Sequence, residues 1–171
     1  MIRLGDLIRR IHMRKYLLHV LIISFVFLLA STAQVASYAG EMEFYKEKVR
    51  ENPDDAEAHF GLGYAYGDAA NWREAIASFK QAIKLDPDND AMGALAHFGL
   101  CGAYFNLGMY KEAIESGKQS IRIDPDVALV HYGLGLAYLG LNNKSSALDQ
   151  YEILKKLDTE LANGLFNLIY E

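Results

Sequence analysis

One eight-residue phrase occurs three times in this chain and constrains its fold more than any other feature. It reads HFGLGYAY at 59–66, HFGLCGAY at 97–104 and HYGLGLAY at 131–138. The copies start 38 and then 34 residues apart. Self-similarity at such a period is typical of proteins built from stacked structural repeats. Repeats of this kind present a surface, so we expect function to reside in binding rather than in catalysis.

Each phrase predicts a helix, because apolar or small residues recur at helical spacing. In the first copy these are His59, Leu62, Gly63 and Tyr66, which share one face of a helix. Gly63 has no side chain, so a partner helix can approach closely at that position.

A second predicted helix follows each phrase after a short break. In the first copy Asn71 is a candidate N-cap. An apolar stripe then runs to Ile83, and the helix is predicted to stop at Asp86, because the following Pro87 cannot continue it. In the third copy the second helix is predicted to open at Asn143 or Lys144.

The combined spacing of the two helices resembles the tetratricopeptide repeat. The matching positions in the first copy are His59, Leu62, Gly63, Tyr66, Ala75, Phe79, Ala82 and Pro87. The resemblance implies an all-α solenoid of helix-turn-helix repeats that winds as a right-handed superhelix, with repeats at about 56–89, 94–127 and 128–161. The second copy departs with Cys101 for Gly, Gly117 for the aromatic and Ser120 for Ala. The third has Leu154 for Ala and Thr159 for Pro.

Both ends of the array are expected to be atypical, because interior repeats expose apolar faces. Residues 41–55 are predicted to form a capping half-repeat helix, and apolar residues in 162–171 predict a closing helix that could also mediate self-association. The longer first interval places about one extra helical turn at 91–95. Gly117 leaves either a hole or a space that a neighbour fills.

Residues 1–40 are predicted to be a signal peptide or a signal anchor. Residues 1–15 hold five basic residues against one acid, and an uncharged apolar run follows. Cleavage after Ala33 or Ala39 would release the domain, whereas an uncleaved run is long enough to span a membrane. Both alternatives place the repeats outside the cytoplasm, in a bacterial periplasm or anchored facing it.

Composition argues against several functions. The net charge is −5, and it becomes −9 once residues 1–15 are set aside, which argues against nucleic acid as a partner. Cys101 is the single cysteine and occupies a small-residue position, so we expect a buried thiol. The repeated histidines are too far apart to share a metal. No nucleophile, metal or cofactor motif occurs, and we expect neither enzymatic activity nor a cofactor.

The candidate site is the concave groove that the first helices of tetratricopeptide repeats line. The residues expected to face it are Phe60, Tyr64, Phe98, Phe105, Tyr132, Leu136 and Leu139. They predict a protein or peptide partner that contributes apolar side chains to aromatic anchors. The chain would then act as an exported adaptor or assembly factor. Two alternatives remain: a membrane-anchored structural subunit of an envelope complex, or a strip covered by the terminal helix or a second copy.

Overall fold

The computed structural model describes residues 37–171, and within them it contains helices and short connections without strands. The unit Glu41–Glu171 is compact and holds the repeats. The predicted signal or anchor segment, 1–40, lies outside the described residues except for 37–40. No helix within the described residues is both long and apolar enough to cross a membrane.

Eight helices follow one another in the described part of the chain. The first, α1, comprises the helical residues 37–51. The others are α2 (Ala56–Asp68), α3 (Trp72–Leu85), α4 (Asp90–Asn106), α5 (Tyr110–Ile123), α6 (Ala128–Gly140), α7 (Lys144–Leu157) and α8 (Thr159–Tyr170). The all-α prediction is confirmed.

The helices pair as a solenoid requires. Each of α2 to α7 packs against its neighbour in sequence, and α2, α4, α6 and α8 also touch one another in succession. Among the described helices, α3 makes no such contact with α5, nor α5 with α7. The second helices therefore splay apart while the first helices converge. This places α2, α4 and α6 on the inner side of the array, which we call the inner face.

Side-chain caps fix several helix starts. Asp55 accepts a hydrogen bond from the Ala58 amide at 2.9 Å, and Asn143 accepts one from the Ser146 amide at 3.1 Å. Asn71 occupies the predicted N-cap position of α3, but its side chain makes no capping bond. Such a cap satisfies an otherwise unpaired backbone donor, so the three starts differ in stability.

The extra turn predicted before the second phrase is confirmed. Helix α4 has 17 residues, whereas α2 and α6 have 13 each. Asn89 caps the longer helix by accepting from the Met92 amide at 3.0 Å.

His59 and His131 each place Nε2 2.9 Å from a proline carbonyl six residues earlier, that of Pro53 and Pro125. The extra turn moves Pro87 ten residues away from His97. His131 also places Nδ1 2.9 Å from Gln150, whereas the residue at the matching position near His97 is the shorter Ser116. His97 Nδ1 is accordingly buried without a hydrogen-bond partner.

Two departures in the middle repeat compensate for each other. In the first repeat Phe79 fills the space beside Gly63, where an added Cβ would lie 2.6 Å from the ring. In the second repeat the sizes are reversed. Cys101 occupies the position that matches Gly63, and Gly117 occupies the position that matches Phe79. Leu134 and Cys101 occupy the space beside Gly117, so the aromatic position holds no cavity.

The Ser120 departure also has a structural explanation. Its hydroxyl is buried and donates to the Ala94 carbonyl at 2.8 Å, which ties the end of α5 to the lengthened start of α4. Helix α8 closes the array by burying Ala162, Leu165 and Ile169, and Lys144 Nζ donates to the Ile169 carbonyl at 2.8 Å. A cation at a helix C-terminus interacts favourably with the helix dipole.

Candidate functional site

The seven predicted groove residues are all partly buried, and they divide into two groups. Phe60, Tyr64, Phe98 and Phe105 pack against the core formed by α3 to α6. Tyr132, Leu136 and Leu139 pack against a second core that contains the buried residues of α7 and α8. Phe60 and Tyr64 therefore line one open space and Phe98 a second, whereas the C-terminal three pack against the buried residues of α7 and α8.

The first open space is a cavity of about 660 Å³ between α1, α2 and α4. Aromatic rings form one side of it, where Phe60 and Tyr64 meet edge to face with centroids 5.0 Å apart. Tyr45 contributes from α1 and packs against the bare backbone of Gly61, where an added Cβ would overlap its ring. The cavity thus depends on close helix approach at the glycine of the repeated phrase.

The extra turn of α4 forms the opposite side of the same cavity. Ala91, Met92 and Leu95 line it, and the Tyr64 hydroxyl lies 3.4 Å from the Leu95 carbonyl, to which it donates. Burial, with a smaller effect of Asp68, raises the pKa of Tyr64, so the phenol remains a neutral donor.

A second cavity of about 390 Å³ adjoins the first. It lies between α4, the end of α5 and the start of α6, and Phe98, Ile123 and Val127 contribute to its lining. Ala91 and Leu95 line both cavities, so they form a ridge between them. Leu95 is 47% exposed at that ridge, so its side chain is available for contact.

Carboxylates dominate the charge around both cavities. Glu41, Asp55 and Glu57 line the first, together with a single base, Lys48. Lys48 Nζ already lies 5.3 Å from the centre of the Phe44 ring, as in a cation–π contact. The second cavity is lined by the acids Asp90 and Asp124 and by no basic residue. The two cavities therefore combine apolar linings with negative rims.

Sequence reasoning did not identify the ridge or the contribution of α1. Phe44, Tyr45, Met92 and Leu95 all line the first cavity, yet none belongs to the repeated phrase. The signal that could have found Leu95 and Met92 is the 38-residue interval, since an inserted turn at the start of an inner helix must add side chains to the inner face. Phe105 lies apart from these cavities, with its ring centroid 5.6 Å from that of Tyr110.

The arrangement of the described residues gives little support to a reactive cysteine or a metal site. Cys101 is 1% exposed, and burial raises its pKa to about 11, so its thiol is protonated at neutral pH. Within residues 37–171 no three His, Cys, Asp or Glu side chains are close enough together to hold a metal ion.

Two family models match the sequence. One, described as tetratricopeptide repeat, matches residues 56–89, and another, described as TPR repeat, matches residues 102–142. Among curated proteins none is significantly similar in sequence to this chain.

Solved structures share the fold. A crystal structure of MamA is 25% identical, covers 81% of this chain and 80% of its own, and gives a TM-score of 0.72. MamA from Desulfovibrio magneticus RS-1 is 19% identical over 81% of this chain and 86% of its own, with a TM-score of 0.66. The Hsp90 co-chaperone Cns1 from Saccharomyces cerevisiae is 16% identical over 67% of this chain and 38% of its own, with a TM-score of 0.64. The last two likenesses support the fold alone.

Proposed function

Because this chain belongs to the tetratricopeptide repeat family, we propose that it is a non-enzymatic adaptor or assembly factor that binds a segment of a partner protein on its inner face. The family fold is a protein-interaction module. The observation that carries the proposal is the pair of open cavities on the inner face, which aromatic side chains line.

The physical basis is the concentration of binding energy in a few large apolar anchors. Phe60 and Phe98 lie at different cavities and are already held by the core, so little side-chain entropy is lost when a partner covers them. Aromatic residues in such positions account for much of the affinity at protein interfaces. A partner segment with apolar side chains would bury surface on both sides of the ridge.

Affinity capture with two matched variants tests this proposal. The full-length chain is used as bait in extracts of the source cells, beside Phe98→Ala and the control Phe166→Ala, which truncates an exposed aromatic residue on α8. We expect Phe98→Ala to lose the captured partner and Phe166→Ala to keep it, while circular dichroism shows equal helix content. Retention of the partner by Phe98→Ala would reject the inner face as the binding surface.

Export is the second part of the proposal. The basic tip and apolar run of residues 1–40 are typical of a segment that directs the following domain across a membrane, here into a bacterial periplasm. N-terminal sequencing after cell fractionation separates the two forms. A soluble periplasmic chain that begins at Gln34 or Gly40 indicates cleavage, and a membrane-bound chain that begins at Met1 indicates an anchor. Recovery of the chain in the cytoplasm would contradict export.

A second candidate is a structural subunit of an envelope complex that docks, or self-associates, through α8. The observation in its favour is that three large apolar side chains of that helix, Phe166, Leu168 and Tyr170, remain exposed. The same capture experiment distinguishes the candidates, because this one predicts that Phe166→Ala loses the partner and Phe98→Ala keeps it.

A further inference from the structure

The inner face carries more specific information about its partner. Resting on the function proposed above, we infer that the two cavities beside the ridge bind an extended segment in which apolar side chains alternate with lysine or arginine. The ridge is Ala91 and Leu95, and each cavity accepts one apolar anchor. The shape of the site, its charge and the origin of the ridge all favour such a segment.

The shape of the site favours a chain rather than a compact ligand. Two open cavities lie side by side and share a wall of only two residues. A small molecule would fill one of them, whereas an extended segment that crosses the ridge can insert a side chain on each side. Such a segment also contacts the exposed side chain of Leu95, which projects between the anchors.

The charge of the site specifies what flanks the anchors. The linings of the two cavities contain five carboxylates and one ammonium group, and that ammonium already contacts Phe44. Cationic side chains beside the apolar anchors would therefore meet complementary charge, whereas an acidic segment would meet repulsion. The same negative rim disfavours an anionic membrane surface, because acidic lipid headgroups carry the wrong sign.

The ridge originates in the extra turn of α4, which α2 and α6 lack. Residue 57 in α2, residue 95 in α4 and residue 129 in α6 are equivalent positions, which hold Glu, Leu and Leu. The added turn precedes Leu95 alone. Its residues Asn89, Ala91 and Met92 extend the wall of the first cavity ahead of Leu95, so Leu95 has neighbours on both sides. Leu129 is similarly exposed, at 52%, but it lines a separate cavity with Asp158 and Glu160 and neither of these two. This pair provides a matched control.

The test begins with an unbiased probe. The full-length chain, held in a nonionic detergent, selects binders from a phage library of random twelve-residue peptides, and the enriched peptides are synthesised with a fluorescent label for anisotropy titration. We expect enriched peptides to combine Leu, Ile or Phe with adjacent Lys or Arg. Their affinity should fall as salt is raised from low to physiological concentration, because exposed charges are screened.

Two matched pairs of variants then locate the binding. Leu95→Ser should weaken binding roughly tenfold, and Leu129→Ser should leave it within about twofold. Glu57→Gln with Asp90→Asn should weaken binding about 3- to 10-fold at low salt, since two exposed charge pairs are lost. The control is Glu74→Gln with Glu112→Gln, which removes the same charge from the first turns of α3 and α5 and should leave binding unchanged.

The outcomes separate this inference from the function on which it rests. Enriched peptides without basic residues, or equal effects of the two charge variants, would overturn the inference. If Phe98→Ala still abolished binding in that case, the inner face would remain supported as the binding surface. Binding lost equally in Leu95→Ser and Leu129→Ser would reject the ridge. A library in which no peptide depends on Phe98 would contradict the proposed function itself.

Discussion

Gly117 offers a sharp test of the packing in the middle repeat. It lies inside α5, where alanine is favoured over glycine by about 1 kcal/mol when space is available. Space is absent here, because an added Cβ would lie 2.7 Å from Leu134 Cδ2 and 2.9 Å from its Cγ. Leu134 is 1% exposed, so it cannot turn aside into solvent. Overpacking a tight core costs about 1–3 kcal/mol.

Gly102 supplies the matched control for Gly117→Ala. It also lies inside a helix, α4, but an added Cβ there would meet nothing within 4 Å. Both substitutions gain the same helix propensity, so the difference between their free energies of unfolding isolates the clash with Leu134. We expect Gly102→Ala to be more stable than Gly117→Ala by about 1–3 kcal/mol.

Urea denaturation followed by circular dichroism measures both variants. A double-mutant cycle with Leu134→Ala identifies the neighbour, because Gly117→Ala should be tolerated better once that side chain is shortened, with a coupling of about 1 kcal/mol or more. If Gly117→Ala is as stable as Gly102→Ala, the account of Leu134 filling the aromatic position is wrong.

Three further predictions concern individual side chains. Burial, with a smaller effect of Arg122, lowers the pKa of His97 below its ordinary value, so the unfolded chain binds more protons. His97 should therefore reduce the free energy of unfolding as pH falls through about 6.5. In urea titrations the stability of His97→Phe relative to the wild type should increase as pH is lowered from about 7.5 to 5; a constant difference would contradict this. Asn143→Ala should lose about 1 kcal/mol and Asn71→Ala only a few tenths by the same assay, since only Asn143 makes a side-chain cap, and equal losses would refute the distinction. Cys101 should resist an aromatic disulfide reagent at about pH 8 in the folded chain and react once urea is added, because its thiol is buried with a pKa of about 11; rapid reaction of the folded chain would show that it is accessible.

Local pattern was sufficient to predict the helices. The spacing of Leu62, Gly63 and Tyr66 depends on one helix face, and the stop at Asp86 depends on the proline after it, so neighbouring residues determine both. The extra length of α4 could be predicted in the same way, because the interval between two phrases is longer by about one helical turn. The capping difference between Asn71 and Asn143 was not readable, because both sequences offer the same side chain at the same position.

The site was less accessible to sequence reasoning, because it depends on which helices lie side by side. Phe60 and Phe98 were identifiable from their place after each histidine. The interval between the phrases indicates extra side chains near Leu95, but the cavities that they line, and the contribution of Tyr45, depend on packing between α1, α2 and α4. Tyr132 followed the same sequence rule as Phe98, yet it packs toward α8, with Gly164 beside its ring.

Site-specific photo-cross-linking tests the central claim most directly. The photoreactive residue benzoylphenylalanine replaces Leu95 at the ridge in one full-length chain and Ile153 on α7 in another, since both side chains are exposed, 47% and 38% respectively. Illumination of living source cells, followed by mass spectrometry, then identifies what each position touches. We expect the ridge position to cross-link a partner segment that contains apolar and basic residues, and position 153 to yield no such product. A partner that cross-links from position 153 but not from position 95 would contradict binding at the inner face.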